Sequence, residues 1–342
     1  LTNCHVRNLL SVSAPDLGGY AGGFVGTSET GGLTDVADEG HLGELIKVGS
    51  LVNAVGYLIP KYTNCTVTYL ADGGVQADVA GGFAADLRSG KVDNTERGEQ
   101  DGYAVYNISY VNGQSYAGGF GGRVTSGALA SASGGLSILG GLTGVSINVS
   151  DLLSVVEAYV PFVRNAGVKS DHGLAVSAPV IRDTNADSGS AGGFIGYASG
   201  AQIFHSDVDQ LRHTKVVPPE NLEAVDAPSY FDGSSQYAVY GARYAGGYVG
   251  HLDIGSAASL GSGLKILGKT IQLTNILEAL SVVVSTVEHS RVVGSPGGFS
   301  VRGNHSGGFA GQISGGHVQD THAENFAYII GQSTAGGYVG NL

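Results

Sequence analysis

One phrase, a small residue followed by two glycines and an aromatic ring, returns seven times along the chain and restricts the fold more than any other feature. The copies read AGGFVG at 21–26, AGGFAA at 80–85, AGGFGG at 117–122, AGGFIG at 191–196, AGGYVG at 245–250, GGFAG at 307–311 and AGGYVG at 335–340. Adjacent glycines in a β-rich pattern cost backbone entropy and give nothing to pack, so a single copy would weaken a strand. Repetition gives them a use. If each phrase forms one rung of a stack, the glycines let neighbouring backbones approach. The rings at 24, 83, 120, 194, 248, 309 and 338 then point inward and stack copy on copy. Each such ring buries roughly 150–250 Å² and gains about 0.5–1.5 kcal/mol from its neighbour, enough to offset the roughly 1 kcal/mol cost of a glycine.

The copies alternate in kind. Those beginning at Ala21, Ala117 and Ala245 precede a longer apolar segment, whereas those near Ala80, Ala191 and Gly307 lead through a polar stretch into the strands Tyr103–Tyr106, Tyr237–Tyr240 and Ala327–Ile330. The longer segments carry a spacing of three and four: Leu45, Val48, Val52, Val55 and Ile59, stopped by Pro60; Leu152, Val156, Tyr159 and Val163; and Leu273, Ile276, Leu280, Val283 and Val287. That spacing predicts three amphipathic helices, over about 41–60, 136–163 and 260–288, packed on the body of the array. None has the Lys/Arg-rich polar face of a membrane-surface helix. A repeat that cannot bury its apolar face alone stacks on its neighbours. The predicted fold is therefore mainly β: a right-handed parallel β-helix (β-solenoid), continuous over residues 1–342, with three inserted helices. Uneven spacing argues against a propeller.

Composition supports an array: 58 of 342 residues are glycine, about 17% against roughly 7% in ordinary proteins. The formal charge of −12 would repel a phosphate backbone, so nucleic acid is not an expected partner. No apolar run approaches the roughly 18–20 residues of a bilayer span, and membrane insertion is not expected. With no Met, and the pattern already under way at Leu1, the chain reads as an excerpt of a longer protein.

The phrases AGGFIGYASGAQI at 191–203 and GGFAGQISGGHV at 307–318, with Thr2-Asn3-Cys4-His5-Val6 and Thr63-Asn64-Cys65-Thr66-Val67, resemble the GLUG-motif repeats of large bacterial surface proteins. The resemblance covers the repeated rungs and not the helical inserts or the polar loop from Asp207 to Gly233. It implies a β-solenoid region of a secreted, cell-wall-associated, adhesin-like protein. It carries over no active site.

Few residue groups suggest chemistry. Asp183, Asn185, Asp187 and Gly189 alternate like a calcium loop, but Ser188 and Phe194 stand where an EF-hand needs Gly and Glu, so a turn is favoured. Asp207 and Asp209, with His205, Arg212 and His213 nearby, could serve as the acid and base of a carbohydrate-active β-helix enzyme, but a solvated charged edge is the simpler reading. No histidine pair has a metal spacing, and no Gly-x-Ser-x-Gly elbow supports a Ser-His-Asp triad. Cys4 and Cys65 hold equivalent rung positions and are favoured as buried free thiols, with pairing left open. Asn64, Asn107, Asn148 and Asn304 lie in Asn-x-Ser/Thr sequons, which matter only in a glycosylating host.

The expectation is a structural and interaction module, not an enzyme, with no catalytic, cofactor or metal site. It would act as the rigid stalk or ligand-presenting body of a surface adhesin at the bacterial cell wall. A host glycan or host surface protein is the expected partner. A carbohydrate-active lyase or hydrolase, or a subunit that self-associates end to end into a filament, are the alternatives.

Overall fold

In a computed structural model the described residues are 1–29, 56, 59–95, 102–126, 157–182, 186–211, 237–255, 265–266, 269–270, 284–295 and 298–342. About two-thirds of them lie in strands, almost none in helix, and the strands build three parallel sheets. The first is a six-stranded sheet of Lys61–Thr63, Lys91–Asp93, Phe162–Arg164, Gln202–Phe204, Thr286–Glu288 and His317–Gln319. The second has fourteen strands and includes the long segments Thr66–Gly81, Gly167–Ala178 and Phe326–Gly336. The third, seven-stranded, follows each glycine pair, from Val25–Ser28 to Val339–Asn341. The chain visits first, second and third sheet in that order and then begins again. Each strand pairs in parallel with its counterpart one circuit away, as in Gly121↔Ala84 on one side and Gly121↔Ile195 on the other.

The seven rings form one unbroken column. Centroid separations run 4.8, 5.2, 4.9, 5.0, 4.7 and 5.0 Å from Phe24 through Phe83, Phe120, Phe194, Tyr248 and Phe309 to Tyr338, with interplanar angles of 23° or less. The spacing is that of neighbouring β-strands, about 4.8 Å, so the ladder of the backbone sets the ladder of the rings. Valines and leucines of all three sheets surround it, among them Val67, Val124, Val163, Leu174 and Leu252, all fully buried.

The glycine pairs are required by space. A Cβ on the first glycine of a pair, such as Gly192, would fall on the carbonyl oxygen three residues ahead, Ile195 O. A Cβ on the second, such as Gly193, would fall on the carbonyl oxygen of Gly247, its equivalent one circuit on. The first glycine permits the bend from second to third sheet; the second permits backbone contact between circuits. Gly337, in the last circuit of this chain, meets nothing within 4 Å.

The alternation of the copies also has a structural counterpart. Passing from the third sheet to the first, the chain turns tightly at Ser89-Gly90, Gly200-Ala201 and Ser314–Gly316, and in the other three passages takes the long segments 29–60, 126–161 and 254–285.

The helical expectation over those segments needs correction. Most of 41–60, 136–163 and 260–288 lies outside the described residues. Within the described part, helical geometry is confined to Gly56 and the single turn Glu157–Tyr159, and three inserted helices are not seen. Val163 and Val287, read as the ends of helical faces, are strand residues paired with Ile203 and fully buried. A spacing of four satisfies both periodicities, since it is about one helical turn and also an even number along a strand. Lys265–Ile266 and Lys269–Thr270 form a small antiparallel pair. The two Tyr-Ala-Val-Tyr stretches are also not equivalent: Val105 pairs with Val67 and Val168, whereas Val239 pairs with Val176 and Val301. Ile329, from the third of those strands, aligns with Val301 and so with Val239. No helix among the described residues is long and apolar enough to cross a membrane.

Candidate functional site

On the outside of the glycine bend, the ends of second-sheet strands face the starts of third-sheet strands across a re-entrant corner. Tyr116, Ser190, Tyr244 and His305 share one register position on the second sheet. Arg123, Tyr197, His251 and Gln312 share one on the third. These side chains meet across the corner. The Arg123 guanidinium lies 5.3 Å from the Tyr116 ring centre, Tyr116 lies 6.0 Å from Tyr197, and His251 is set between Tyr197 at 5.4 Å and Tyr244 at 4.6 Å. One circuit earlier, Asp86 is fully buried and its Oδ2 takes two guanidinium contacts from Arg88, both at 2.9 Å.

Arg182, Ala186 and Asp187 lie against this corner. Arg182 reaches back two circuits to Asp78 Oδ1 at 2.8 Å and donates to Ser115 Oγ at 2.7 Å. Arg243 donates to the carbonyl of Ala186, and Asp187 approaches His251, Oδ1 to Nδ1, at 3.2 Å. The other ring nitrogen of His251, Nε2, is 2.7 Å from Ser314 Oγ. His251 is 4% exposed, while Ser314 is open to solvent. Asp187 sits beside Nδ1 without the alignment of a hydrogen bond, whereas Nε2 and the Ser314 hydroxyl share one. The contact with His251 in turn holds the Asp187 carboxyl below its usual range, against the opposing effect of burial. Ser314 Oγ also accepts from Gln312 Nε2 at 2.7 Å, and Asn341 Nδ2 fixes that amide through Gln312 Oε1 at 3.2 Å.

The residues singled out by sequence fall elsewhere. Asp207 accepts from the Arg291 backbone N–H at 3.0 Å and its Nε at 2.8 Å, and Asp209 accepts from the Tyr103 hydroxyl. Both carboxylates are thus engaged between circuits. His205 stacks on His289 at 4.9 Å, both in the left-handed backbone region at the corner leaving the first sheet. Arg212 and His213 lie outside the described residues, as do Asp183 and Asn185 of the calcium-like run. Its Asp187 faces His251. Among the described residues no group of three or more His, Cys, Asp or Glu could hold a metal ion. Cys4 and Cys65 occupy equivalent positions beside the pair His5↔Thr66 and are both free; burial pushes the Cys65 thiol up. Asn64 is buried and donates to Asn3 Oδ1, so it presents no amide to a glycosylating enzyme.

The Asp187, His251 and Ser314 grouping is absent from the sequence reading because its members come from three successive circuits. Alignment on the rings carries the signal: His251 and Gln312 each stand three residues after a ring, and Ser314 five. Compared with known proteins, the chain matches no family model, no curated protein and no solved structure.

Proposed function

We propose that this chain is a right-handed parallel β-solenoid serving as a structural and interaction module, the rigid ligand-presenting body of a secreted or surface-anchored bacterial adhesin-like protein. The observation that carries the reading is the unbroken ring column, because stacked circuits with a continuous core resist bending and leave their outer faces free to vary. Right-handed crossovers are the general rule for parallel strands. The outer segments, which differ in length from circuit to circuit, supply room for a binding surface on a fixed frame. The GLUG-like phrases support a surface location.

The test has two arms. Antibodies raised against the chain should label intact, unpermeabilised cells of the bacterium that makes it, and the purified chain should bind a glycan or host matrix protein on an array. Labelling that appears only after permeabilisation overturns the surface reading. Array binding that survives thermal unfolding of the chain overturns the role of the folded body.

A further inference from the structure

We propose that Ser314, His251 and Asp187 form a hydrolytic triad acting on a carboxylic ester with a short acyl group. This goes beyond the scaffold reading and does not depend on it, since it assigns chemistry to one corner whatever the whole chain does.

The geometry carries the proposal. His251 Nε2 to Ser314 Oγ is 2.7 Å, the contact through which a general base takes a hydroxyl proton, and Asp187 Oδ1 lies 3.2 Å from Nδ1, outside hydrogen-bond alignment but close enough to stabilise a positive ring. The imidazole is buried between Tyr197 and Tyr244, which fix its plane, whereas the hydroxyl is at the surface where a substrate can reach it. Ser314 opens the tight turn Ser314–Gly316, and Gly315 and Gly316 have φ of +151° and +146°, backbone conformations that other residues rarely adopt. The turn places the serine at the exit of its strand, where it is exposed. A Cβ on Gly315 would fall on the Ile254 side chain and one on Gly316 would lie 2.9 Å from Ser285 O, so packing against the preceding circuit holds both positions to glycine. The N–H groups of Gly315 and Gly316 are the donors assigned to the oxyanion. Polar Gln312 flanks the serine, which suits a short acyl group such as acetyl better than a fatty chain.

The reaction balances with water alone. Ser314 Oγ bonds to the ester carbonyl carbon as its proton passes to His251 Nε2, and the carbonyl π pair moves onto oxygen. Collapse of the tetrahedral species breaks the bond to the alcohol oxygen, which takes the proton from Nε2 and leaves. Water then attacks the acyl-serine, giving a proton to Nε2; the Ser314 Oγ bond breaks, Oγ recovers that proton, and a carboxylic acid departs. Asp187, beside Nδ1, stabilises the imidazolium.

The whole chain would be treated with a fluorophosphonate probe and, separately, with p-nitrophenyl acetate. The expected result is one label per chain on the peptide containing Ser314, ester hydrolysis above the buffer rate, and loss of both in S314A. H251Q and D187N should slow labelling by about 10²–10⁴-fold while far-UV circular dichroism and the unfolding midpoint stay close to those of the parent. Failure of the folded parent chain to be labelled at Ser314 overturns the proposal. So does p-nitrophenyl acetate turnover that persists in S314A, or a D187N variant that labels at the parent rate.

Discussion

Replacing Phe194 by Ala tests the ring column where it is most constrained. Phe194 is fully buried, stacked at 4.9 Å on Phe120 and 5.0 Å on Tyr248. A buried Phe→Ala change costs about 3–5 kcal/mol, and the upper part of that range applies where the surroundings cannot collapse. Here they cannot, because the backbone on either side is held by Phe194 N–H to Tyr248 O and Phe120 N–H to Phe194 O, both 2.8 Å. About 4–5 kcal/mol is the expected loss, a large share of the roughly 5–15 kcal/mol that a typical domain has in total. Tyr338, 37% exposed with one ring neighbour at 5.0 Å, should cost only about 1–2 kcal/mol as Ala. Urea unfolding followed by far-UV circular dichroism measures both. With a slope of about 3 kcal/mol/M, F194A should lower the midpoint by more than about 1 M. A double-mutant cycle of F194A with Y248A should show a coupling of about 0.5–1.5 kcal/mol. Equal losses for F194A and Y338A, or no coupling, would refute the stacking argument, because they would mean that the rings are independent apolar side chains.

Other positions make separate demands. G193A places a methyl group against the Gly247 carbonyl and should cost at least about 2 kcal/mol, whereas G337A, with open space and no left-handed φ, should be neutral or stabilise by about 0.4–1 kcal/mol; thermal unfolding of the two variants compares them. R182A strips the buried Asp78 carboxylate of its guanidinium and should lose about 3 kcal/mol, as read from urea unfolding. Lys91 is pushed down to about 8 by burial and then by Lys61, its partner in register one circuit away. The unfolded chain therefore binds more protons than the folded one between pH 8 and the ordinary lysine value, so this residue's contribution to stability rises with pH across that window. K91M should be the more stable chain at pH 7, and its advantage should shrink toward pH 10, as read from unfolding midpoints at both values.

How far the sequence reveals the molecule depends on whether a feature repeats. Phe24, Phe83 and their counterparts are legible because the same steric demand recurs in every circuit and selects the same residues each time. The Ser89-Gly90 and Gly200-Ala201 corners are legible for the same reason, as the short members of an alternation. Val163 and Val287 are misread as the ends of helical faces because spacing alone cannot separate a helical turn from two steps of a strand, and the decision falls to their partners, Val92, Ile203 and Val318. The corner around His251 is illegible for the opposite reason: its residues do not repeat. Position three after the ring is Asp86, Arg123, Tyr197, His251 and Gln312 in successive circuits, a different chemistry each time on one geometric site. Parallel in-register stacking converts that variation into contact, since any residue on this row touches the rows above and below about 4.8 Å away. Stacked circuits therefore bring together residues far apart in the chain without any local motif, as His251 on this row meets Asp187 from before one ring and Ser314 from the turn after another. The same principle makes the outer corner the place to look: the repeated steric frame holds the backbone, and the residues that depart from the repeat there are the ones free to carry chemistry.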